Sequence, residues 1–166
     1  MRKSFYPGIE RMMREPAQSG AEPHILRGTL WRAVFDSADP LAPVTGPEGR
    51  FHHSGQWAIY GSLTAAGCAV AIARYLRAGD PPRVVVPLQV SALVLDCSGQ
   101  PDLSMVWQDV RAGGAVAPTW AASDAARASG VQGMLYSSRS RPELSHLVLF
   151  DGAAILGVGP ALPFVG

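Results

Sequence analysis

Charge and cysteine are both scarce in this chain. Charged residues make up 16% of its 166 positions, and the net charge is +1. That excludes the broad basic surface on which nucleic-acid binding depends, while leaving room for a local cationic pocket. The two cysteines, Cys68 and Cys97, stand in neither metal-type nor redox-type spacing. A chain of this size needs no disulfide framework, and Cys68, inside an apolar helical run, reads as a buried small residue. Long apolar runs are missing too: stretches such as Ala69–Ala73 and Val84–Pro87 are far too short to span a bilayer. The N-terminus, Met1-Arg2-Lys3-Ser4-Phe5-Tyr6-Pro7, carries charge with no apolar run behind it. No signal peptide is expected, and the expected location is cytoplasmic. There is no Gly-x-Gly-x-x-Gly and no Walker-type loop, so a nucleotide site of Rossmann or P-loop type is excluded.

What is present fits one compact domain. Hydrophobic residues reach 48%, and the 18 glycines and 14 prolines point to many turns and a β-rich or mixed fold. Residues 1–28 read as an N-terminal arm, with a short helix over Ile9–Arg14, and residues 29–166 as a single globular domain. Thr29–Phe35 reads as the first strand, with Leu30, Arg32 and Val34 on one face. A guanidinium among apolar neighbours calls for an anion or carboxylate partner. Asp36–Glu48, with three prolines, is a surface loop, and Gly49–Ser62 a strand–turn–strand. Ser62 or Thr64 can cap a helix over Ala65–Leu76, with an apolar face of Ala66, Ala69, Val70, Ala73 and Leu76. Arg83–Val90 and Ala92–Cys97 read as two strands split near Ser91, with Pro87 at an edge or bulge. Helices are expected over Leu103–Val110 and Trp120–Ala128, the second closed by Gly130. Strands are expected over Val131–Tyr136, Leu147–Phe150 and Ala154–Val158, with Asp151-Gly152 as a turn. Short strands mixed with a few helices make the fold class α+β.

The densest polar stretch is Gly49-Arg50-Phe51-His52-His53-Ser54-Gly55-Gln56-Trp57-Ala58-Ile59-Tyr60-Gly61-Ser62. Buried strands seldom carry so many polar groups, because each needs a partner once desolvated. A ligand with anionic and hydrogen-bonding groups accounts for the concentration; a polar hairpin at a sheet edge is the plainer alternative. Arginine forks suit phosphate and an aromatic ring suits a stacked base, so Arg32, Arg50 with His52 and His53, Tyr60 with Ser62, and Ser137-Ser138-Arg139 describe a dinucleotide site. A metal site fits poorly, since adjacent His52 and His53 on a strand point to opposite faces. A serine hydrolase has no Gly-x-Ser-x-Gly elbow to support it. The four tryptophans read as core rather than stacking platforms, His24 and His146 as surface or hydrogen-bonded residues, and Arg139 with Arg141 as a solvated turn.

The order of these clusters resembles the RES domain, a family typified by toxins paired with Xre-type antitoxins. The matching pieces are Leu30-Trp31-Arg32, Gly49-Arg50-Phe51-His52 with Gly55, Ile59-Tyr60-Gly61-Ser62, and Gly133-Met134-Leu135-Tyr136-Ser137-Ser138-Arg139 before Leu147-Val148-Leu149-Phe150. Phe51 through Ala73 is most similar to the ParT branch, which ADP-ribosylates phosphoribosyl pyrophosphate synthetase. The resemblance implies an ADP-ribosyltransferase-like split β-sheet core, NAD as substrate, an Xre-like antitoxin, and a protein target; the low charge and short apolar runs add the expectation of no nucleic-acid and no membrane partner. It also implies the site. Arg32 and Arg50 face phosphates or ribose, Tyr60 stacks on nicotinamide, and Ser138 hydrogen-bonds within the cleft, with His52 and Ser62 completing the binding set. Arg32, His52, Tyr60 and Ser138 are the catalytic candidates. The chain departs from the family twice: His52 stands where asparagine is common, and Ala71, eleven residues after Tyr60, stands where a glutamate is usual. Asp109 and Glu143 are the carboxylates to weigh as substitutes. Phosphorolysis or hydrolysis of NAD, and a binding module without catalysis, are the competing functions.

Overall fold

A computed structural model describes residues 21–166. The expected Ile9–Arg14 helix lies outside them. The elements in chain order are β1 (His24–Phe35), β2 (Ile59–Ser62), α1 (Ala65–Ile72), β3 (Arg83–Asp96), α2 (Trp107–Ala112), α3 (Pro118–Ala128), β4 (Gly133–Ser137), β5 (Ser145–Leu149), β6 (Ile155–Val158) and β7 (Leu162–Pro163). Strands dominate and helices are few and short, as the α+β reading expects. None of the described helices is long and apolar enough to cross a membrane.

All seven strands belong to one hydrogen-bonded sheet. β1 pairs antiparallel with β3 from His24↔Val94 to Phe35↔Arg83, and touches β2 at Trp31↔Ser62. β2 runs antiparallel to β5, β5 antiparallel to β4, and β4 parallel to β3. The pairings therefore return to β1, closing a ring of five strands. One apolar cluster draws on every strand of that ring, including Leu30, Ile59, Leu88, Leu135, Leu147 and Leu149. A second cluster, with Phe51, Met134, Tyr136 and Val148, lies on the other side of β4 and β5 and packs against Ala126 of α3. The alternation along β5 divides its side chains between the two: Leu147 and Leu149 to the first, Val148 to the second.

Four local expectations are corrected. β3 is one strand, not two, because Ser91 stays in the ladder opposite Arg27 and its half-buried side chain is tolerated there. β1 begins at His24, five residues before Thr29, since the far half of β3 needs a backbone partner. Gly49–His53 is no strand: a single bridge, Gly49↔His52, closes a tight loop. The first helix is α-helical only to Ile72, then tightens into a 3-10 turn over Ala73–Tyr75. Its buried residues are Gly67 and Cys68, whereas Ala66 is exposed. The run is small and apolar all round, so periodicity does not select a face; the cap does. Thr64 accepts the Gly67 amide at 3.0 Å, and Gly67 lies so close to fully buried Ser62 that only a glycine fits.

Candidate active site

The irregular loop before β2 is held by α3. Its exposed backbone carbonyls would be costly to bury unpaired. Trp120 Nε1 donates to the Gly49 carbonyl at 2.8 Å, the Thr119 hydroxyl donates to that of Arg50, and Arg127 donates to those of Trp57 and Phe51 at 3.1 and 3.3 Å. The loop is thus a fixed wall. Of its own polar side chains, Arg50 and His52 donate to backbone carbonyls, whereas His53 and Gln56 bind Asp124 of α3, a use anticipated neither by a bound ligand nor by a polar edge hairpin.

A cavity of about 520 Å³ opens against this wall. That is the size range of a small-molecule or cofactor site. Its lining includes Arg32 from β1, Glu48, Arg50 and His52 from the loop, Tyr60 from β2, Ala71 from α1, Trp107 and Gln108 from α2, Tyr136 and Ser138 from the end of β4, and His146 from β5. Five of the six residues expected at the site meet here: Arg32, Arg50, His52, Tyr60 and Ser138. Ser62 does not border the cavity; it is fully buried beside Gly67, with its hydroxyl 3.4 Å from the Ser145 carbonyl. Asp109 and Glu143 do not border it either, and Glu143 pairs with Arg141. The one carboxylate on the described lining is Glu48, clamped by Arg111 through two contacts at 3.0 and 3.1 Å.

Arg32 is 9% exposed, and the anion or carboxylate expected beside it is replaced by backbone. Nη1 donates to the Pro40 and Ala42 carbonyls at 2.6 and 2.7 Å. Nε and Nη2 make no hydrogen bond among the described residues. Arg50 is arranged alike: Nε donates to the Leu103 carbonyl at 3.0 Å and Nη2 donates to the same carbonyl, while Nη1 has no such partner among the described residues. Its guanidinium also stands 4.9 Å from the Tyr136 ring centre. Burial lowers the pKa of both arginines, yet a guanidinium stays charged at any working pH. Two fixed cations therefore keep N–H edges available on one cavity, which suits an anionic ligand.

Tyr60 and His52 form a closed relay. The Phe51 amide donates to the Tyr60 hydroxyl at 2.9 Å, which lies 2.8 Å from His52 Nδ1. His52 Nε2 lies 2.9 Å from the Gly46 carbonyl. A carbonyl only accepts, so Nε2 carries the proton and Nδ1 accepts from the tyrosine. Desolvation lowers the His52 pKa, outweighing the Gly46 contact, and keeps the ring neutral in this role. Desolvation raises that of Tyr60 well above its ordinary value. The phenol is thus a fixed, un-ionised group whose hydroxyl is already used, and what it offers a ligand is its ring. His52 positions that ring.

Ser138 is buried at the cavity edge, where its hydroxyl accepts the Arg141 amide at 3.2 Å. His53 points away, to Asp124 at 2.8 Å and onto the Trp120 ring, so the two histidines do diverge. No group of three metal-ligating side chains occurs among the described residues. Trp57 and Trp120 pack inward, but Trp31 and Trp107 line the cavity. Cys68 also lines it; burial pushes its thiol up to about 12, and Sγ donates to the Trp31 carbonyl at 2.9 Å. His146 lines it too, where a surface or hydrogen-bonded residue is expected from sequence. Its position in an apolar strand gives no local signal beyond period-two alternation with Val148.

The family model of the RES domain matches residues 29–164. No curated protein matches the chain. Among solved structures, a chain of the M. tuberculosis MbcT–MbcA toxin–antitoxin complex shares the fold, with a TM-score of 0.61, 18% identity and 86% of each chain covered. Most of the chain is spanned by the family match, and the chain belongs to the RES domain family.

Proposed function

We propose that this protein is the toxin of a toxin–antitoxin pair and transfers ADP-ribose from NAD to a cellular protein. The observation that carries the proposal is the convergence of Arg32 and Arg50 on one cavity, each fixed by backbone carbonyls and each keeping an N–H edge for an anion. A pyrophosphate suits those edges. The locked Tyr60 ring suits the nicotinamide, and Ser138 adds a hydroxyl at the rim. In the transfer, the bond between ribose C1′ and the nicotinamide nitrogen breaks and nicotinamide leaves with its electron pair. An acceptor side chain bonds to C1′ and gives up its proton. Holding the pyrophosphate and the nicotinamide on either side of the ribose while that bond lengthens is work for preorganised positive charge and a fixed ring. Kinship to ADP-ribosyltransferase toxins, phosphoribosyl pyrophosphate synthetase as target, an Xre-like antitoxin and a cytoplasmic site of action belong to the same proposal, on the strength of the family.

A second reading has one observation in its favour: Ala71 lines the cavity where the family usually has glutamate, and Glu48 is engaged by Arg111. That arrangement fits a module that binds NAD without turning it over. Incubation with NAD, phosphate and a bacterial lysate, followed by product separation, decides. Nicotinamide release with protein-bound ADP-ribose supports transfer. Free ADP-ribose supports a glycohydrolase, and its phosphorylated form a phosphorylase. Binding without nicotinamide release supports the module.

A further inference from the structure

His146 has no part in the account so far. It is 3% exposed and borders the cavity, with its ring centre 5.5 Å from that of Tyr136. The strand register sets it opposite Tyr136 on one side and Ser62 on the other. Its Nδ1 is enclosed and has no hydrogen-bond partner among the described residues. Nε2 is not enclosed in that way and makes no hydrogen bond among them. Burial, and then the charge of Arg50, lowers its pKa to about 4, so the ring is neutral at neutral pH and carries one proton. On the enclosed Nδ1 that proton would be a buried donor with no acceptor. On Nε2 it leaves Nδ1 a bare lone pair, the better tolerated of the two orphans.

We infer that His146 is a ligand-contacting residue whose Nε2–H donates to an oxygen of the bound dinucleotide. The inference rests on the NAD reading. A histidine placed only to fill the core would be replaceable by an apolar residue of similar volume. This one presents an uncharged donor on the same cavity as the Arg50 guanidinium, with the Tyr136 ring near both, a pairing that suits an oxygen acceptor. A phosphate oxygen and the nicotinamide carboxamide share that chemistry.

Calorimetric titration of wild type, His146→Leu and His146→Asn with NAD, ADP-ribose and nicotinamide tests it. His146→Leu is expected to weaken NAD binding roughly tenfold, the weight of one hydrogen bond, and His146→Asn, which keeps an N–H, to stay within about threefold. A matching loss with ADP-ribose assigns the phosphate, and with nicotinamide the carboxamide. NAD affinity unchanged in His146→Leu overturns the inference. Should the leucine variant not fold, nitrogen NMR of wild-type histidine decides: an Nε2–H signal that moves on adding NAD supports the contact, and one that stays overturns it. If wild type itself binds none of the three ligands, the NAD reading fails and the inference falls with it.

Discussion

Tyr60 is where ring and hydroxyl have separate duties, and single substitutions separate them. Tyr60→Phe removes the acceptor of the Phe51 amide and the donor to His52, both in a half-buried site, and should cost on the order of 1–3 kcal/mol in urea unfolding. It keeps the ring, so NAD affinity should stay within about threefold. Tyr60→Ala should lose NAD binding by roughly tenfold or more. Equal affinities for the two variants would contradict the ring's role. His146 supplies a second test at this scale. The unfolded chain takes up its proton near the ordinary 6.5 and the folded protein only near 4, so between these values the unfolded state binds more protons. Stability therefore rises with pH across that window and falls as the solution is acidified through it. His52, lowered in the same direction, adds to the slope. His146→Asn should flatten the dependence of Tm on pH from 4 to 6.5, and an unchanged slope would contradict a buried neutral imidazole.

At the scale of elements, α1 depends on its first turn. A Cβ at Gly67 would come within 1.9 Å of the Ser62 hydroxyl, which has no room to retreat. Gly67→Ala should cost on the order of 2–3 kcal/mol, whereas Gly28→Ala, with open space around it, should cost little. Equal effects would show that α1 is not pinned there. The same element shows what sequence can and cannot tell. A cap at Ser62 or Thr64, of which the fold uses Thr64, Gly130 as stop and the arginine in apolar company on β1 were all legible, because each is a local signal with a local cause. The face of α1 was not, since an all-small apolar run has no contrast. Gly49–His53 is a loop where a strand is expected because its backbone carbonyls are taken by α3, nearly seventy residues away in the case of Arg50 and Thr119. Of the six residues that family likeness and polar clustering single out, five line the cavity. His146, Tyr136, Trp107 and Glu48 line it without being singled out, because strand register brings in the first two, α2 the third and loop packing the fourth.

For the whole molecule, the closed ring of strands fixes Arg32 on β1 and the Tyr60 ring on β2, and α3 with the Leu103 carbonyl fixes Arg50 in the loop between them, before any ligand arrives. Preorganisation of that kind spares a ligand the cost of ordering the site, as the proposed transfer requires. An antitoxin that covers the cavity mouth, near the loop over residues 36–48, would block NAD entry. Co-purified antitoxin should then suppress nicotinamide release, and release unaffected by it would place inhibition elsewhere. The most direct test of the central claim is incubation of the purified protein with labelled NAD and a bacterial lysate, beside Arg32→Ala. The account predicts label on a discrete protein band with wild type, reduced at least about a hundredfold in the variant through loss of one fixed charge at the pyrophosphate. A band of equal strength with Arg32→Ala, or NAD left intact by a folded wild-type protein, would contradict it.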